Sequence, residues 1–180
     1  MKQTQHALCL LAGLGALTLA SQAFASDGTI TFTGDVSAGT CTIDVNGSSS
    51  ANATVALNPV TQSSLAAAGA TAGTLPFSIA LTGCSGATKV ATSFESGPNV
   101  DLTTGNLRNT TAGGSSAQIQ ILNNANTAIN LSTNANSQLA DIDATALTAT
   151  LQYYAQYYAK AASTTAGAVS TSVTYSMSYQ

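Results

Sequence analysis

The strictest pattern in the sequence is an alternation of apolar and hydroxyl side chains at its C-terminal end. In "VSTSVTYSMSYQ", one side of an extended chain carries Val169, Val173, Tyr175, Met177 and Tyr179, and Ser and Thr fill the other side. Successive side chains of a β-strand point to opposite faces, so a period of two predicts a strand with one buried face. The pattern therefore indicates that this part of the chain joins a sheet.

The same period recurs in short runs that are separated by clusters of Gly, Asn and Ser. These runs are "TCTIDV", "LPFSIALTGC", "KVATSF", "QIQIL" and "AINLS". Many short strands with turn signals between them favour an all-β sandwich. Residues 146–162 fit a helical stripe as well as an alternating pattern, and we expect a strand because an all-β fold needs one there. Residues 64–69, "SLAAAG", predict a short helical turn after a serine cap.

Residues 1–25 have the features of a secretory signal peptide. Lys2 precedes the apolar run "ALCLLAGLGALTLA", and "AFA" provides a cleavage pattern before Ser26. A membrane anchor is the alternative, but the run is short and no basic stop follows it. The mature chain has three basic and seven acidic residues, a net charge of about −4. We therefore expect export, with no binding of nucleic acid and no membrane insertion of the mature chain.

The cysteines favour a disulfide in the exported chain. Of three cysteines, Cys9 lies in the leader, which leaves Cys41 and Cys84. Two cysteines in an exported protein predict a bridge between them. Free thiols or a metal pair are the alternatives, and the mature chain has no histidine to complete a metal site.

The mature chain offers little material for catalysis. Without histidine, a serine nucleophile lacks its usual base. Asp141 and Asp143 could face one side and hold a cation, but a solvated loop is the simpler interpretation. The tyrosine pairs within 153–158 could form a sugar platform, although such tyrosines more often pack in a core or across strands. We expect no catalytic, cofactor or metal site.

A second amphipathic strand stands near the start of the mature chain. In "GTITFTGDV", Ile30, Phe32, Gly34 and Val36 share one side, with Thr and Asp on the other, and no turn signal folds the segment back. In an ordinary sandwich, both terminal strands pair inside the domain. Alternatively, the domain lacks its closing strand, and its open edge at residues 169–179 is a template for another chain.

The ordered set of these segments resembles the fimbrial subunits of the bacterial chaperone–usher family, the type 1 pilins in particular. The segments that carry the resemblance cover nearly the whole mature chain: "GTITFTGDV", "GTCTIDV", "VALNPVTQSSLAAAGATAGTLPFSIALTGC", "AQIQILNNANTAINL" and the terminal strand with penultimate Tyr179. The resemblance implies an incomplete immunoglobulin-like sandwich that lacks its final strand. It divides the chain into a signal peptide (1–25), a donor-strand extension (26–38) and a pilin domain (39–180).

The resemblance also implies a mechanism, namely donor-strand exchange. A periplasmic chaperone lends a strand to the groove of each subunit, and at the outer-membrane usher the extension of another subunit replaces it. Ile30, Phe32 and Val36 then match the donor residues that enter the groove, and Gly34 matches an obligatorily small position. The strand that borders the groove and contacts the chaperone matches Val173, Tyr175, Met177 and Tyr179.

The resemblance therefore predicts a shaft subunit of a surface fimbria that supports cell adhesion. Its partners would be copies of itself, the chaperone, the usher, and adaptor or tip adhesin subunits. A minor adaptor or tip-associated subunit is the first alternative, and a stand-alone secreted sugar-binding sandwich is the second. One domain that keeps a donor segment favours the shaft, because a tip adhesin would carry an additional lectin domain.

Overall fold

The computed structural model describes residues 31, 33 and 41–180 of the chain. The expected signal peptide and the donor residues Ile30, Phe32, Gly34 and Val36 lie outside the described residues. Thr31 and Thr33 are exposed. The account of the fold that follows concerns residues 41–180.

Seven strands form within this range, six of them where the sequence predicts a strand, whereas the short strand at Leu139–Asp141 was not foreseen. In chain order they are β1 (Thr42–Val45), β2 (Thr71–Thr82), β3 (Lys89–Phe94), β4 (Gln118–Leu122), β5 (Leu139–Asp141), β6 (Ala149–Tyr158) and β7 (Tyr175–Tyr179). The described strands make two antiparallel sheets, one with the order β1-β2-β6-β4 and one with the order β5-β3-β7. The chain is all-β, and its sheets face each other across a common core.

The core is densest where β2 and β6 pair along most of their length. Ile79 lies opposite Leu151, and Phe77 lies opposite Tyr153. Tyr153 is fully buried, with its ring 5.4 Å from the ring of Phe77 and 5.4 Å from that of Phe94 in the other sheet. The expectation of a strand within 146–162 is confirmed, and Tyr153 packs in the core rather than on a sugar platform.

The predicted disulfide between Cys41 and Cys84 is confirmed. It joins the residue before β1 to the second residue after β2, next to the pair Thr42 and Thr82. Cys84 is fully buried. The bridge therefore fastens the edge strand β1 to the long central strand β2.

Two local predictions differ from the structure in detail. The helical turn expected at 64–69 is a short 3-10 helix at Gln62–Leu65, which buries Leu65. "AINLS" makes isolated bridges at Ala128 and Asn130 rather than a strand, because it pairs with two separate short segments. Within 41–180, no helix has the length and apolar character that crossing a membrane requires.

Candidate functional site

A long apolar groove lies between two extended segments, in which only Tyr175, the first residue of β7, belongs to a sheet. Its walls are residues 51–57 and residues 169–175, and its volume is about 730 Å³. Core side chains from both sheets form its floor: Phe77, Ile79, Phe94, Ile119, Ile121 and Tyr157. No described strand separates the two walls, so the groove reaches from the surface into the middle of the sandwich.

The wall at 169–175 continues into β7 and is paired on one side. The carbonyl oxygens of Ala168, Ser170 and Thr174 accept hydrogen bonds from the backbone N–H groups of Ser115, Thr110 and Glu95, at 3.0, 2.9 and 2.9 Å. The carbonyl of Ser172 accepts one from the side-chain amide of Asn99 at 2.9 Å. The backbone groups of the even-numbered residues of this wall therefore pair with the rest of the domain, while their side chains are exposed.

The odd-numbered residues of the same wall face the groove. Val169, Thr171 and Val173 are half-buried, and among the described residues their backbone N–H and C=O groups have no hydrogen-bond partner. Neighbouring residues of an extended chain direct these groups to opposite edges. This wall thus presents a row of backbone donors and acceptors to the groove, which is the property of an edge strand that can pair with another chain.

The opposite wall has a similar character. In residues 53–57, Val55 and Leu57 are half-buried against the core, and Thr54 and Ala56 are exposed. No backbone hydrogen bond to another described residue involves this stretch. An extended segment between the walls would therefore find unpaired backbone on both sides.

The two ends of the groove differ. At one end the hydroxyl of Tyr175 donates a hydrogen bond to the carbonyl of Ala51 at 2.8 Å, which joins the walls. Burial raises the pKa of Tyr175, so the hydroxyl keeps its proton at neutral pH. At the other end a smaller pocket of about 280 Å³ shares Tyr157 and Val169 with the groove and is bounded by Leu65. The groove is closed near Tyr175 and continues beyond Val169.

The residues expected to border the groove fall into two pairs. Val173 and Tyr175 line it. Met177 and Tyr179 lie further along β7, where they pack against the core opposite Thr92 and Val90 of β3. The contact of these four residues with a chaperone stays a prediction.

Sequence reasoning missed two parts of the groove. The predicted open edge at 169–179 already included Val169, but the inward position of Thr171, which the structure also places in the wall, was not singled out. The wall at 51–57 was not foreseen, although Val55 and Leu57 in "VALN" show the period of two. A run of four residues before Pro59 is a weak signal on its own.

A buried charge cluster joins the loop between β3 and β4, which contains Asp101, to β4 and to the segment that follows β6. The carboxylate of Asp101, 2% exposed, accepts hydrogen bonds from Lys160 Nζ and Gln118 Nε2, both at 2.7 Å, and from the backbone and hydroxyl of Thr103. Arg108 Nε lies 3.6 Å away. The hydrogen bond from Lys160, followed by that from Thr103, lowers the pKa of Asp101 well below its usual range. A carboxylate paired this completely is a structural anchor rather than a general acid or base.

The two acidic residues that the sequence suggested as a cation site, Asp141 and Asp143, each have their own partners. Asp141 forms an exposed ion pair with Lys89. Asp143 accepts hydrogen bonds from the backbone N–H groups of Ala146 and Thr145, and these lower its pKa. Within the described part of the chain, no three Cys, Asp or Glu side chains are grouped as metal ligands would be. Through its hydrogen bonds to Thr145 and Ala146, Asp143 stabilises a turn.

Comparison with known proteins places this geometry in a family. The family model described as "Type-1 fimbrial protein, A" (FimA) matches residues 57–180. The F17 fimbrial protein of Escherichia coli is 42% identical over 155 residues, which cover 79% of this chain and 84% of that protein. The chain belongs to the type-1 fimbrial protein family. The resemblance found in the sequence is confirmed.

Solved structures support the fold of this fimbrial subunit. A subunit of a chaperone–usher pilus matches 86% of this chain and 96% of its own, with a TM-score of 0.61 and 21% identity. The P pilus rod subunit PapA matches 78% of this chain and 99% of its own, with a TM-score of 0.58 and 22% identity. The all-β pilin fold is confirmed. The family also confirms that the chain is a structural fimbrial protein of the cell surface and not an enzyme.

Proposed function

We propose that this fimbrial subunit polymerises by donor-strand exchange, with residues 28–36 of one copy filling the groove of another. The observation that carries the proposal is a groove whose two walls both present backbone groups with no partner among the described residues. An apolar strand inserted there would pair with both walls and cover the core at the same time.

The lengths of donor and groove agree. The inward positions of the wall are the odd residues from 169 to 175, and those of the donor are the even residues from 30 to 36. Each set spans six residue steps, about 20 Å in an extended chain. The exposed side chains of Thr31 and Thr33 fit the outward positions of such a donor.

We assign an antiparallel register to the inserted strand. Every described strand pair in this domain is antiparallel, and antiparallel pairing is the more stable kind per residue. Matching the ends of the two sets places Ile30 opposite Tyr175 and Val36 opposite Val169. Val36 then lies beside the smaller pocket, and Ile30 lies beside the closed end.

The energetics favour coupling between donor binding and folding of the acceptor. Burial of Ile30, Phe32 and Val36 contributes roughly 1.5–3 kcal/mol each, and about eight backbone hydrogen bonds add about 1 kcal/mol each. Ordering nine residues costs on the order of 1–2 kcal/mol each, which offsets most of that gain. Durable linkage therefore depends on the strand completing the acceptor's core, and on slow unfolding of the completed domain.

The same groove accounts for the other partners that the family implies. A periplasmic chaperone would protect it by lending a strand, with contacts along Val173 to Tyr179. An outer-membrane usher would bring the next subunit into position for exchange. Adaptor or tip adhesin subunits would join the fibre through the same groove, and the assembled fibre would support cell adhesion.

Disulfide trapping in assembled fibres tests the exchange and its register. The antiparallel register places Thr31 opposite Thr174, both exposed, at a separation within the range that a disulfide bridges. Fibres carrying Thr31→Cys with Thr174→Cys should give a ladder of covalent oligomers on a non-reducing gel. Thr31→Cys with Ser170→Cys is the matched control, because only a parallel strand would join those positions. Fibres that form normally but give no ladder with either pair would overturn the proposal.

A further inference from the structure

One side chain in the groove wall is chemically out of place. The inward positions of the wall are Val169, Thr171, Val173 and Tyr175, and the hydroxyl of Tyr175 is bonded to Ala51. The hydroxyl oxygen of Thr171 is buried and has no hydrogen-bond partner among the described residues. A buried hydroxyl without a partner is costly, and Val would fill the same space without that cost.

The antiparallel register gives this hydroxyl a specific neighbour, so the inference rests on the proposed function. When Ile30 lies opposite Tyr175 and Val36 opposite Val169, Gly34 lies opposite Thr171. Directly opposed residues of an antiparallel pair have β-carbons about 4.5–5.5 Å apart, and a glycine leaves that space open. The hydroxyl of Thr171 can then reach the backbone of the donor strand.

We propose that Thr171 determines the register of the donor strand. Its hydroxyl donates a hydrogen bond to the backbone carbonyl oxygen of Gly34, which has a second lone pair beside the one used in strand pairing. A slip of two residues would place Phe32 or Val36 opposite Thr171. Either side chain would cover the hydroxyl with apolar atoms and leave it without an acceptor. The wall therefore favours the donor's glycine at this position and disfavours the slipped strands.

The ratio of two cross-links in assembled fibres tests this role. Thr31→Cys with Thr174→Cys reports the proposed register, and Thr31→Cys with Ser172→Cys reports a slip of two residues. Each of these two cysteine pairs is combined with one substitution at position 171. Thr171→Val keeps the shape of the side chain and removes the hydroxyl, whereas Thr171→Ser keeps the hydroxyl. We expect Thr171→Val to lower the ratio of registered to slipped cross-links about fivefold, the effect of one hydrogen bond of ordinary net strength. Thr171→Ser should leave the ratio near that of the parent.

Each outcome separates this inference from the proposed function. An unchanged ratio in Thr171→Val fibres overturns the role of Thr171 while the donor-strand exchange stands. Absence of the Thr31–Thr174 cross-link in the parent fibres instead overturns the proposed register. If Thr171→Val yields no fibres, Thr171→Ala removes the hydroxyl without crowding, and the same change of ratio is required of it.

Discussion

The Asp101 cluster and the groove differ in how completely their polar groups are paired. Asp101 is buried, and its two oxygens together accept hydrogen bonds from Lys160, Gln118 and Thr103. Along the groove, the wall from Val169 to Val173 has backbone groups with no partner among the described residues. Paired buried groups stabilise the domain that contains them, whereas an unpaired edge gains its stability from another chain. Changes at Asp101 should therefore act on folding, and changes at the groove on assembly.

Gly34→Arg should have the largest effect and should act on assembly alone. In the proposed register Gly34 lies opposite Thr171 within an apolar groove, where a long charged side chain would not fit, so we expect a complete loss of fibres. Capture by the chaperone should persist, because in the proposed mechanism the chaperone fills the groove with its own strand. Electron microscopy of cells and co-purification with the chaperone measure the two effects.

Thr33→Arg is the control for Gly34→Arg. It adds the same side chain at the adjacent outward position, where Thr33 is exposed, and should leave fibres intact. Normal polymerisation of Gly34→Arg would count strongly against the assignment of residues 28–36 as the donor.

Cys41→Ser should have the next largest effect and should act on folding. The bridge closes a loop with a sequence separation of 43 residues, for which loop closure contributes about 4 kcal/mol to the free energy of unfolding. The measurement is the yield of folded subunit captured by the chaperone in an oxidising compartment. Cys84→Ser should lower the yield equally, and the double substitution should do no further harm, because all three remove one bond. Unchanged capture would make the bridge dispensable.

The features on each side of this comparison were not equally visible in the sequence. The alternation from Val169 to Tyr179 predicted the strand and its inward face, and export predicted the pairing of Cys41 with Cys84. The strand follows from the spacing of neighbouring residues. The disulfide follows from the presence of only two cysteines in the expected mature chain. The Asp101 cluster joins residues as far apart as 101 and 160, and no local pattern marks such a pairing.

The second wall of the groove was missed for a related reason. Residues 53–57 alternate for too short a stretch to indicate a strand, and in the described residues they pair with no neighbour. Their role depends on lying across the groove from residues 169–175, which only the fold reveals. The polar position Thr171 likewise acquires meaning from its burial, because a threonine within an alternating strand is ordinary by its sequence.

Asp101→Asn should lower the free energy of unfolding by about 2 kcal/mol, since it weakens hydrogen bonds to a buried charged group. Urea unfolding of the mature chain, followed by circular dichroism, measures the change. Asp141→Asn is the matched control: it breaks an exposed ion pair with Lys89 and should cost less than about 0.5 kcal/mol. Equal effects of the two substitutions would show that burial of the Asp101 cluster contributes nothing.

The penalty of Asp101→Asn should depend on pH in one direction. The folded state lowers the pKa of Asp101, so the stability it contributes is complete above the pKa of the unfolded state, near 4. It is lost as the pH falls from about 5 towards the lower pKa of the folded state. The difference in urea midpoint between the parent and Asp101→Asn should therefore be largest at neutral pH and shrink near pH 2. A difference that stays constant over this range would contradict the assignment of the charged carboxylate as the anchor.

Tyr175→Phe should have the smallest effect, and it tests whether a hydrogen bond made within the groove acts on folding or on assembly. Its hydroxyl makes the one direct side-chain hydrogen bond between the groove walls among the described residues, to the carbonyl of Ala51. That bond is formed within one chain, so its loss should lower the free energy of unfolding by about 1 kcal/mol, even though Tyr175 lines the assembly groove. Tyr154→Phe on the outer face of β6 is the control, because the described residues offer its hydroxyl no partner, and it should leave the urea midpoint unchanged. If Tyr175→Phe instead leaves the urea midpoint unchanged and only weakens fibres against dissociation, the closed end of the groove acts on assembly like the rest of the groove.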